Sequence, residues 1–293
     1  MVAHGEGPTT SALLGACNRR GVEARLLTPG QALGELRPGD TALARLDVRF
    51  SLDGVESGLW ELRVLEREGV RVLNRAGALV AAHDKLAAAA RLHEAGVPHP
   101  HTVLVGPEGD LPQLAPPLVL KPRFGSWGRD VFLCEDEAAV DSVLALFGRR
   151  PWFRATGAIA QELVPPAGWD LRVVVAGGNV VGAVQRISAD GEWRTNVALG
   201  GARRPVEPPE DACALARAAA AAIGADLAGV DLLPRPDGGF VAVEVNGAVD
   251  FTRQYRRDGD VFEAAVDALL AAAYTSSSAA ASRLTRPAPN VAT

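Results

Sequence analysis

Apolar residues in the first third of the chain recur with helical spacing in some segments and form short, strand-like runs in others. Glycine and proline mark the change from one pattern to the next. The predicted elements are helices at 9–20 and 58–68 and strands at 22–27, 41–46 and 70–74. Only Met1-Val2-Ala3 stands before a polar segment, so the opening strand is either very short or truncated. Residues 1–82 are therefore expected to form an alternating α/β domain.

A second unit is predicted at residues 83–160. It begins with an Ala- and Leu-rich helix at 83–93, which a Pro-rich link separates from the rest. A strand, a glycine-rich turn and another strand follow between residues 118 and 135. This order predicts a compact strand-loop-strand subdomain that carries a glycine-rich loop.

A third unit is predicted at residues 161–274. Four β-patterned runs joined by tight turns indicate an antiparallel sheet, and Ala-rich helices are expected at 211–224 and 261–273. The tail at 275–293 is rich in Ser, Ala and Pro and has no periodicity. Such a segment cannot bury enough apolar surface to fold alone, so it is predicted to be disordered.

The composition is that of an ordinary globular protein. The 293 residues are 48% hydrophobic and carry a formal net charge of −5, which argues against a general nucleic-acid binder. The three cysteines lie far apart without C-x-x-C spacing, so neither a disulfide framework nor a zinc site is predicted. No signal-like segment and no run of about eighteen apolar residues is present. A cytoplasmic location without nucleic-acid or membrane partners is therefore expected.

Two carboxylates on neighbouring predicted strands are the first candidates for chemistry. Asp231 in AGVDLL and Glu244 in VAVEVN are flanked by apolar residues, and the tight turn between the strands would bring them together. Like charges in an apolar site need a cation, and an all-oxygen set completed by Asn246 suits Mg²⁺. The alternative is that each acid caps a strand end and bonds solvent or backbone.

Two lysines and the glycine-rich loop are candidates for binding phosphate. Lys121 ends an apolar strand, and the following loop contains Gly125 and Gly128, whose amides can approach a phosphate without obstruction. Lys85 lies just inside a predicted helix start, where free amides already favour anions. Taken singly, the loop is equally well explained as an ordinary turn, and Lys85 as a solvated side chain.

Arg172 and Arg186 occupy otherwise apolar strands, and buried arginines need anionic partners. One alternative is a structural ion pair with Asp170 or Glu244. The other is a transferred phosphoryl group, which requires fixed positive charge while its bonds rearrange. The catalytic alternative is favoured.

The segment Gln161-Glu162-Leu163-Val164 lies where a strand is expected to leave for a linker. Backbone groups of such a linker can contact the edge of an adenine, while Glu162 accepts a hydrogen bond from the adenine amino group. A plain buried strand is the alternative.

Taken in order, these segments resemble the ATP-grasp superfamily and, within it, the RimK-like α-L-glutamate ligases. The similarity runs from about Arg45 to Asp267. The motifs that carry it are Asp84-Lys85, LVLKPRFGSWGRDV, QELVPPAGWDLRVVV, QRISADGEWRTNVALGG, AGVDLL and VEVNGAVDF. The resemblance implies an ATP-grasp fold of mixed α/β (α+β) class. In this fold an N-terminal pre-ATP-grasp domain precedes two α+β subdomains that clamp ATP.

The resemblance also implies a role for each matching residue. Arg172 and Arg186 would be catalytic and face the γ-phosphate and the acyl phosphate, and Asp170 would lie near the ribose. The residues implied to bind ATP are Lys85, Lys121, Gly125, Ser126, Trp127, Gly128, Gln161, Glu162, Leu163, Val164, Asp170, Arg194 and Asn196. The implied metal ligands are Asp231, Glu244 and Asn246. Gly200 and Gly201 would shape the substrate loop.

The family chemistry transfers the γ-phosphoryl group of ATP to a carboxylate, and an amine attacks the acyl phosphate to give an amide, ADP and phosphate. It implies ATP, Mg²⁺ or Mn²⁺, an amino acid, with glutamate favoured, and a carboxylate or amine acceptor on a small molecule, cofactor or peptide. The alternatives are a ligase for an amino acid bound to a carrier protein and a non-catalytic nucleotide-binding module. A homo-oligomer is compatible with the resemblance.

Two departures from the family pattern bear on the acceptor. The opening strand is short, and GAVDFTRQYRRDGDV follows Asn246 where the ribosomal-protein ligases often have a small-residue, proline-containing segment. This segment looks closer to relatives that act on cofactors or carrier-bound amino acids. Its arginines and two nearer the N-terminus are candidates for binding a polycarboxylate acceptor, with solvated surface as the equal alternative. These arginines are Arg45, Arg49, Arg253, Arg256 and Arg257.

Overall fold

The computed structural model describes residues 1–47, 58–107, 114–255 and 259–284, with side chains described as far as residue 274. The described helices are α1 (Pro8–Arg19), α2 (Pro29–Glu35), α3 (Leu59–Arg67), α4 (Ala76–His83), α5 (Lys85–Glu94), α6 (Glu137–Phe147), α7 (Pro151–Thr156), α8 (Glu210–Ile223) and α9 (Val261–Leu284). The described strands are β1 (Thr41–Leu43), β2 (Arg71–Leu73), β3 (Thr102–Val105), β4 (Leu118–Pro122), β5 (Phe132–Cys134), β6 (Ala158–Glu162), β7 (Trp169–Ala176), β8 (Asn179–Ile187), β9 (Ala202–Pro205), β10 (Leu227–Pro234) and β11 (Phe240–Asn246). Short 3₁₀ turns lie at Val197–Leu199 and Arg253–Tyr255.

The N-terminal unit is a small parallel β arrangement covered by helices. Strands β1 and β2 pair in parallel, and Val2 forms single bridges to Leu27 and Ala44. The opening strand is therefore very short but takes its place beside β1. The strand predicted at residues 22–27 was wrong, because only Leu27 pairs and most of the preceding side chains are exposed.

The second unit is a four-stranded antiparallel sheet with the order β3-β6-β4-β5. Helices α6 and α7 cover one face, where the core contains Leu118, Leu120, Phe147 and Phe153. Helix α6 begins at a carboxylate cap, since Asp136 Oδ1 accepts the Ala139 amide at 2.8 Å. Strand β6 belongs to this sheet and crosses the boundary predicted at residue 161, so we propose that the second unit extends to the end of β6.

The third unit is a five-stranded antiparallel sheet with the order β11-β10-β7-β8-β9. Side chains alternate between its faces. One face, with Val173 and Val230, packs against α8, whereas Val174 and Val184 on the other face pack among residues of α1 and α9. The charged residues of β7, β8, β10 and β11 share this second face, as the pairing registers require.

The segment after β11 crosses this second face in close contact with the strands. A Cβ on Gly182 would lie 1.8 Å from the Tyr255 carbonyl oxygen, and a Cβ on Gly229 would lie 2.4 Å from Val249 Cγ2. Only glycine leaves room for the Tyr255 backbone at position 182 and for the Val249 side chain at position 229. The sheet surface thereby fixes the path of the segment that the sequence analysis singled out after Asn246.

Asn74 joins the N-terminal unit to the five-stranded sheet. It is fully buried and adopts a left-handed conformation with φ 55°. Its Nδ2 donates to the carbonyls of Leu227 and Gly247, both at 2.7 Å, and its Oδ1 accepts the amides of Asp226 and Leu227. This one side chain therefore satisfies backbone groups at the start of β10 and just after β11.

The C-terminal helix is longer than predicted. Helix α9 runs to Leu284, so the disorder predicted for residues 275–293 was wrong for the part up to 284. The segment is rich in alanine, the residue with the highest helix propensity, and an existing helix extends more easily than a new one begins. The remainder, residues 285–293, lies outside the described residues.

Candidate functional site

A cavity lies where the four-stranded and five-stranded sheets face each other. Its walls come from β4, the glycine-rich loop, the end of β6, the segment 193–196 and the strands β7, β8, β10 and β11. The predicted residues that line it are Lys85, Lys121, Gly125, Ser126, Trp127, Gly128, Gln161, Glu162, Leu163, Val164, Asp170, Arg186, Arg194, Asn196, Asp231 and Glu244. Residues far apart in sequence thus meet at one place.

Lys121 lies in the wall of the cavity at the end of β4. The side chain is buried, and Nζ donates to Gln161 Oε1 at 2.7 Å. Burial lowers the pKa of Lys121 to about 8, with a further lowering from Lys85 that Glu244 and Asp231 partly offset. Among the described residues, the hydrogen-bond partner of this buried cation is a neutral amide, so the cation remains able to bind an anion in the cavity.

Lys85 links the glycine-rich loop to the metal candidates. Its Nζ donates to the Gly125 carbonyl at 2.6 Å and lies 3.3 Å from Glu244 Oε1. Helix α5 starts there because Asp84 caps it, and Asp84 also accepts a hydrogen bond from Arg123 Nε at 2.8 Å. The lysine is consequently held between the loop and β11.

The glycine-rich loop is held by Arg194 from the five-stranded side. Arg194 Nη1 donates to the carbonyls of Gly128 at 2.9 Å and Val131 at 3.3 Å, while Nε donates to Glu192 Oε1 at 2.9 Å. The hydrogen bond from Arg194 lowers the pKa of Glu192 to about 2. Arg194 thus holds the glycine-rich loop by hydrogen bonds to its carbonyl groups. The nucleotide contact predicted for Arg194 stays a prediction.

Asn196 lies against the same loop. Gly128 has φ 71°, and a Cβ there would lie 2.7 Å from Asn196 Oδ1. The neighbouring Trp127 also has a positive φ of 64°, and its exposed ring lies 5.1 Å from the Arg129 guanidinium carbon. The loop therefore holds two consecutive residues in a conformation that places an exposed aromatic ring at the cavity rim.

A network of two arginines and two aspartates forms the floor of the cavity. Arg172 donates to both oxygens of Asp231, each at 2.6 Å, and Arg186 Nη2 lies 3.0 Å from Asp231 Oδ2. Arg186 also forms a bidentate pair with Asp170, with Nε at 2.7 Å from Oδ1. The structural ion pair with Asp170 that the sequence left open is present, and Arg172 pairs with Asp231 rather than Glu244.

The network shifts the pKa values of its members. Burial raises the pKa of Asp231, but Arg172 and Arg186 outweigh it and the pKa is lowered. Burial lowers the pKa of Arg186, whereas Asp231 and Asp170 raise it to a net increase. Burial raises the pKa of Asp170, and its hydrogen bonds with Arg186 do not fully offset that rise. Arg186 lines the cavity, but Arg172 lies behind Asp231 and does not.

The predicted metal ligands meet on one face of the sheet. Asp231 and Glu244 are direct partners in the β10–β11 pairing, as the sequence predicted, and Asn246 is two residues beyond Glu244. Burial raises the pKa of Glu244, but the charge of Lys85 contributes to a net lowering. Among the described residues, no group of three or more His, Cys, Asp or Glu side chains is arranged to hold a metal. Any cation here would therefore depend on two carboxylates and an amide.

These oxygens fit a hard cation such as Mg²⁺. A carboxylate offers about four lone pairs, and Asp231 uses three for its arginines, which leaves one on Oδ1. Asn246 donates through Nδ2 to the Gly229 carbonyl at 3.4 Å, so its Oδ1 can act as an acceptor. Glu244 contributes the least engaged carboxylate of the set, with Lys85 as its ion-pair partner.

The linker after β6 lines the cavity opposite the carboxylates. Gln161 is held between Lys121 and Thr102, whose Oγ1 accepts from Nε2 at 2.8 Å. Glu162 Oε2 accepts the His101 amide at 3.3 Å, so its carboxylate is partly engaged. Asp170 has both oxygens bonded to Arg186, with Thr195 as a further donor. The ribose contact predicted for Asp170 would have to compete with these bonds.

The remaining predicted substrate residues lie outside the cavity. Gly200 ends a 3₁₀ turn with φ 92°, and a Cβ on Gly201 would lie 2.8 Å from the Thr195 carbonyl oxygen. Arg45 is buried and donates to Thr10, Val249 and Asp250. It therefore anchors the segment after β11, and its substrate contact stays a prediction.

The exposed arginines give a mixed outcome. Arg253 is 78% exposed, with Asp260 Oδ2 at 3.6 Å. Arg49, Arg256 and Arg257 lie outside the described residues. Acceptor binding by these arginines therefore stays a prediction.

Several cavity residues were not predicted. Thr195 lies between two predicted residues and donates a hydrogen bond to Asp170. Glu192, which does not line the cavity, accepts hydrogen bonds from Arg194. Leu233 lies two residues after Asp231 on the same strand, so strand periodicity alone places it on the Asp231 face. Trp193, Val243 and Pro100 also line the cavity, and nothing in their local sequence marks them.

Within the described part of the chain, no helix has the length and hydropathy to span a membrane.

Known proteins match this chain in sequence and in structure. Residues 82–266 match a family described as the RimK-like ATP-grasp domain. A probable alpha-L-glutamate ligase of Pasteurella multocida is 35% identical over 205 residues, which are 68% of this chain and 64% of that protein. The glutamate–LysW ligase ArgX of Sulfurisphaera tokodaii is 29% identical over 73% of this chain and 78% of its own length.

The structural matches extend over nearly the whole chain. A RimK domain ATP-grasp protein of Sphaerobacter thermophilus gives a TM-score of 0.64 at 24% identity, covering 92% of this chain and 99% of that one. A D-alanine–D-alanine ligase of Bacillus anthracis gives a TM-score of 0.64 at 16% identity over 94% and 97% of the two chains. The predicted mixed α/β ATP-grasp fold is thereby confirmed.

Proposed function

The chain belongs to the RimK-like ATP-grasp family, and from that premise we propose that it is an ATP-dependent ligase that joins a carboxylate to an amine through an acyl phosphate. One observation carries the proposal. Two lysines, a glycine-rich loop, Arg186 and the carboxylates of Asp170, Asp231 and Glu244 all line one cavity, and Asn246 lies two residues beyond Glu244 on β11. A nucleotide triphosphate, a divalent cation and a carboxylate require this combination of charges.

The nucleotide would lie along the cavity between the two sheets. Lys85 and Lys121 carry the positive charge for its phosphates, and the loop amides add donors near Gly125 and Gly128. The linker Gln161–Val164 supports the adenine end. Arg194 acts on the nucleotide through the loop, because its guanidinium holds the loop carbonyls in place.

Glu244, Asn246 and the remaining lone pair of Asp231 would hold Mg²⁺. This ion usually binds to one or two carboxylates and keeps waters or substrate phosphates as its other ligands. A set of only three protein ligands agrees with this preference. When bound, the ion neutralises charge on the nucleotide phosphates. Mn²⁺ as a substitute stays a prediction, which replacement of the metal in the activity assay tests.

Catalysis then consists of positioning and electrostatic stabilisation. The γ-phosphoryl group passes from ATP to the substrate carboxylate, and the amine displaces phosphate from the acyl phosphate to form the amide. Arg186 reaches the cavity and holds fixed positive charge there, since Asp170 and Asp231 orient its guanidinium. We assign Arg172 a positioning role, because it contacts Asp231 and does not line the cavity.

Glutamate is the favoured amino acid. A probable alpha-L-glutamate ligase, a beta-citrylglutamate synthase and an N-acetylaspartylglutamate synthase are all about one third identical to this chain, and each name contains glutamate. The match to the glutamate–LysW ligase extends over a larger share of that protein than the match to the alpha-L-glutamate ligase does. This supports a carrier-bound acceptor as the second candidate. The acceptor would be a small molecule, cofactor or peptide in the first case and a small acidic protein in the second.

The test is release of ADP from ATP and Mg²⁺ in the presence of L-glutamate and candidate acceptors, with mass analysis of the products. Glu244→Gln should abolish turnover while the circular dichroism spectrum is retained. Glu68→Gln, at an exposed site after α3, is the matched control and should keep full turnover. Unchanged Mg²⁺-dependent turnover in Glu244→Gln would refute the metal assignment, and absence of ADP release with every amino acid would favour a non-catalytic module.

We propose three further properties. A cytoplasmic location agrees with the free cysteines Cys17, Cys134 and Cys213. The division into units at residues 1–82, 83–162 and 163–274 follows the sheets, and limited proteolysis tests it. Assembly into a homo-oligomer is a prediction that light scattering tests.

A further inference from the structure

The amides at the start of α5 all have hydrogen-bond partners. A helix leaves its first four N–H groups without partners of its own, and free groups of this kind can bind an anion. The Asp84 amide donates to the Val80 carbonyl at 3.0 Å, and Asp84 Oδ1 accepts the amides of residues 86 and 87 at 3.1 and 3.3 Å. The Lys85 amide donates to the Arg123 carbonyl at 3.3 Å. A phosphate near this helix would therefore depend on the Lys85 ammonium group and not on the helix start.

Arg123, the first residue after β4, forms a bidentate ion pair with Asp84. Its Nε donates to Oδ1 at 2.8 Å, and its Nη2 donates to Oδ2. The Asp84 side chain is 8% exposed and the Arg123 side chain 29%. Burial raises the pKa of Asp84, but the hydrogen bonds from Arg123 contribute to a net lowering, and the hydrogen bond with Asp84 raises the pKa of Arg123. Both groups are therefore charged at neutral pH, and they pair in the two-point geometry that Arg and a carboxylate favour.

The neighbours of this pair also contact each other. The His83 ring lies 5.7 Å from the Phe124 ring, measured between centroids. Lys85 Nζ donates to the Gly125 carbonyl at 2.6 Å. The three residues at the junction of α4 and α5 therefore lie side by side with the first three residues of the glycine-rich loop.

Lys85 and Gly125 line the cavity, whereas Asp84 and Arg123 do not. The ion pair has no net charge, so its effect on a bound phosphate must come mainly through the groups that it holds in place. A lysine side chain has many rotamers, and its ammonium group keeps one position only where its surroundings restrict it. The Lys85 ammonium group lies between the Gly125 carbonyl and Glu244 Oε1. The ion pair thus holds together the helix start and the loop, which together set the position of this charge.

We propose that Arg123 is a positioning residue for the nucleotide phosphates: through its ion pair with Asp84 it holds the glycine-rich loop against the start of α5 and so fixes the Lys85 ammonium group in the cavity. This inference rests on the proposed function. It also gives Asp84, in the motif Asp84-Lys85, two separate tasks. One oxygen of its carboxylate caps the helix, and both oxygens accept from Arg123.

The experiment measures the affinity of the protein for Mg²⁺·ADP by calorimetry, and that for adenosine, which carries no phosphate, by displacement. The variants are Arg123→Met, Arg123→Lys, Asp84→Asn and the double variant Asp84→Asn/Arg123→Met, which has the net charge of the wild type. Asparagine keeps the helix cap, since its side-chain oxygen also accepts helix amides. The matched control is Arg235→Met/Asp237→Asn, which removes another bidentate pair, in the turn between β10 and β11 and outside the cavity.

Arg123→Met and the double variant should each weaken Mg²⁺·ADP binding about tenfold, since two charged hydrogen bonds are lost, and leave adenosine binding unchanged. Arg123→Lys should restore part of the loss. Asp84→Asn separates position from charge, because positioning predicts weaker Mg²⁺·ADP binding, whereas an effect of charge alone predicts tighter binding. The control should bind both ligands as the wild type does.

A double-mutant cycle tests whether Arg123 acts through Lys85. Lys85→Met alone should weaken Mg²⁺·ADP binding, and Arg123→Met should then have little further effect, because residues that act as one unit are not additive. Circular dichroism and thermal unfolding confirm that each variant is folded. If Arg123→Met does not fold, Arg123→Lys and Asp84→Asn carry the test.

Three results would overturn the inference. They are wild-type affinity for Mg²⁺·ADP in the double variant Asp84→Asn/Arg123→Met, an equal loss of adenosine binding, which would indicate general distortion of the site, and a full further loss from Arg123→Met in the Lys85→Met background. Failure of the wild type to bind Mg²⁺·ADP at all would contradict the proposed function itself and remove the inference with it.

Discussion

We predict that Lys121 makes the affinity for nucleotide sensitive to pH. The lysine is buried at the cavity wall, and burial, followed by the charge of Lys85, lowers its pKa from 10.5 to about 8. A phosphate bound next to it favours the protonated form. Raising the pH through about 8 therefore removes the charge from the free protein, and the nucleotide must restore it by taking up a proton.

The size of the effect follows from the two protonation states. Above about pH 8 the dissociation constant for Mg²⁺·ADP should rise roughly tenfold per pH unit, until the pKa of the bound state is reached. At about pH 8, binding should take up about half a proton. Below about pH 7 the affinity should be constant, because Lys121 is then protonated before and after binding.

Calorimetry from about pH 7 to about pH 10, in two buffers of different ionisation enthalpy, measures both the dissociation constant and the proton uptake. Lys121→Met removes the titrating group and keeps the length of the side chain. It should bind Mg²⁺·ADP more weakly and with a much flatter pH profile. A flat profile for the wild type, or a profile of unchanged slope in Lys121→Met, would refute the assignment of the pH dependence to this lysine.

The same pKa shift has a consequence for stability, with a definite sign. The folded pKa lies below the unfolded value, so between about pH 8 and about 10.5 the unfolded chain binds more protons and the free energy of unfolding rises with pH. The lowering of the pKa from 10.5 to about 8 corresponds to roughly 3 kcal/mol of destabilisation below pH 8. Lys121→Met should therefore be more stable than wild type at pH 7 in urea unfolding.

Two further predictions concern the framework of the site. Asn74→Ala removes a buried side chain with four hydrogen bonds and should lower the free energy of unfolding in urea by about 3 kcal/mol or more; an unchanged midpoint would contradict this role. Gly182→Ala places a methyl group against the Tyr255 carbonyl and should cost about 1–3 kcal/mol, whereas Gly30→Ala, in open space on α2, should be neutral or stabilising in the same thermal unfolding assay.

The parts of the fold predicted from the sequence are those with a local cause. The periodicity of β10 and β11 and the tight turn between them sufficed to place Asp231 opposite Glu244. Helix α5 was predicted to begin beside Lys85, where Asp84 caps it. The extent of α9 was misjudged, since a low-complexity, alanine-rich segment offers no periodicity from which to decide between helix and disorder.

The partners of the charged residues could not be predicted in the same way. Arg172 and Arg186 are recognisable as buried arginines, but which aspartate each one contacts depends on the strand register between β7 and its two neighbours. The residues of these strands show no pattern that specifies this register.

Asp231 connects the two halves of the site. It accepts from Arg172 and Arg186 and keeps one lone pair on Oδ1, so in the proposed function its position affects both the cation and Arg186. A buried carboxylate with two arginines remains ionised, because neutralising it would leave two guanidinium groups without a partner. The carboxylate is therefore fixed in place by electrostatics rather than by packing. The same argument explains why Arg172, although it does not reach the cavity, occupies a strand that otherwise carries only apolar residues at its centre.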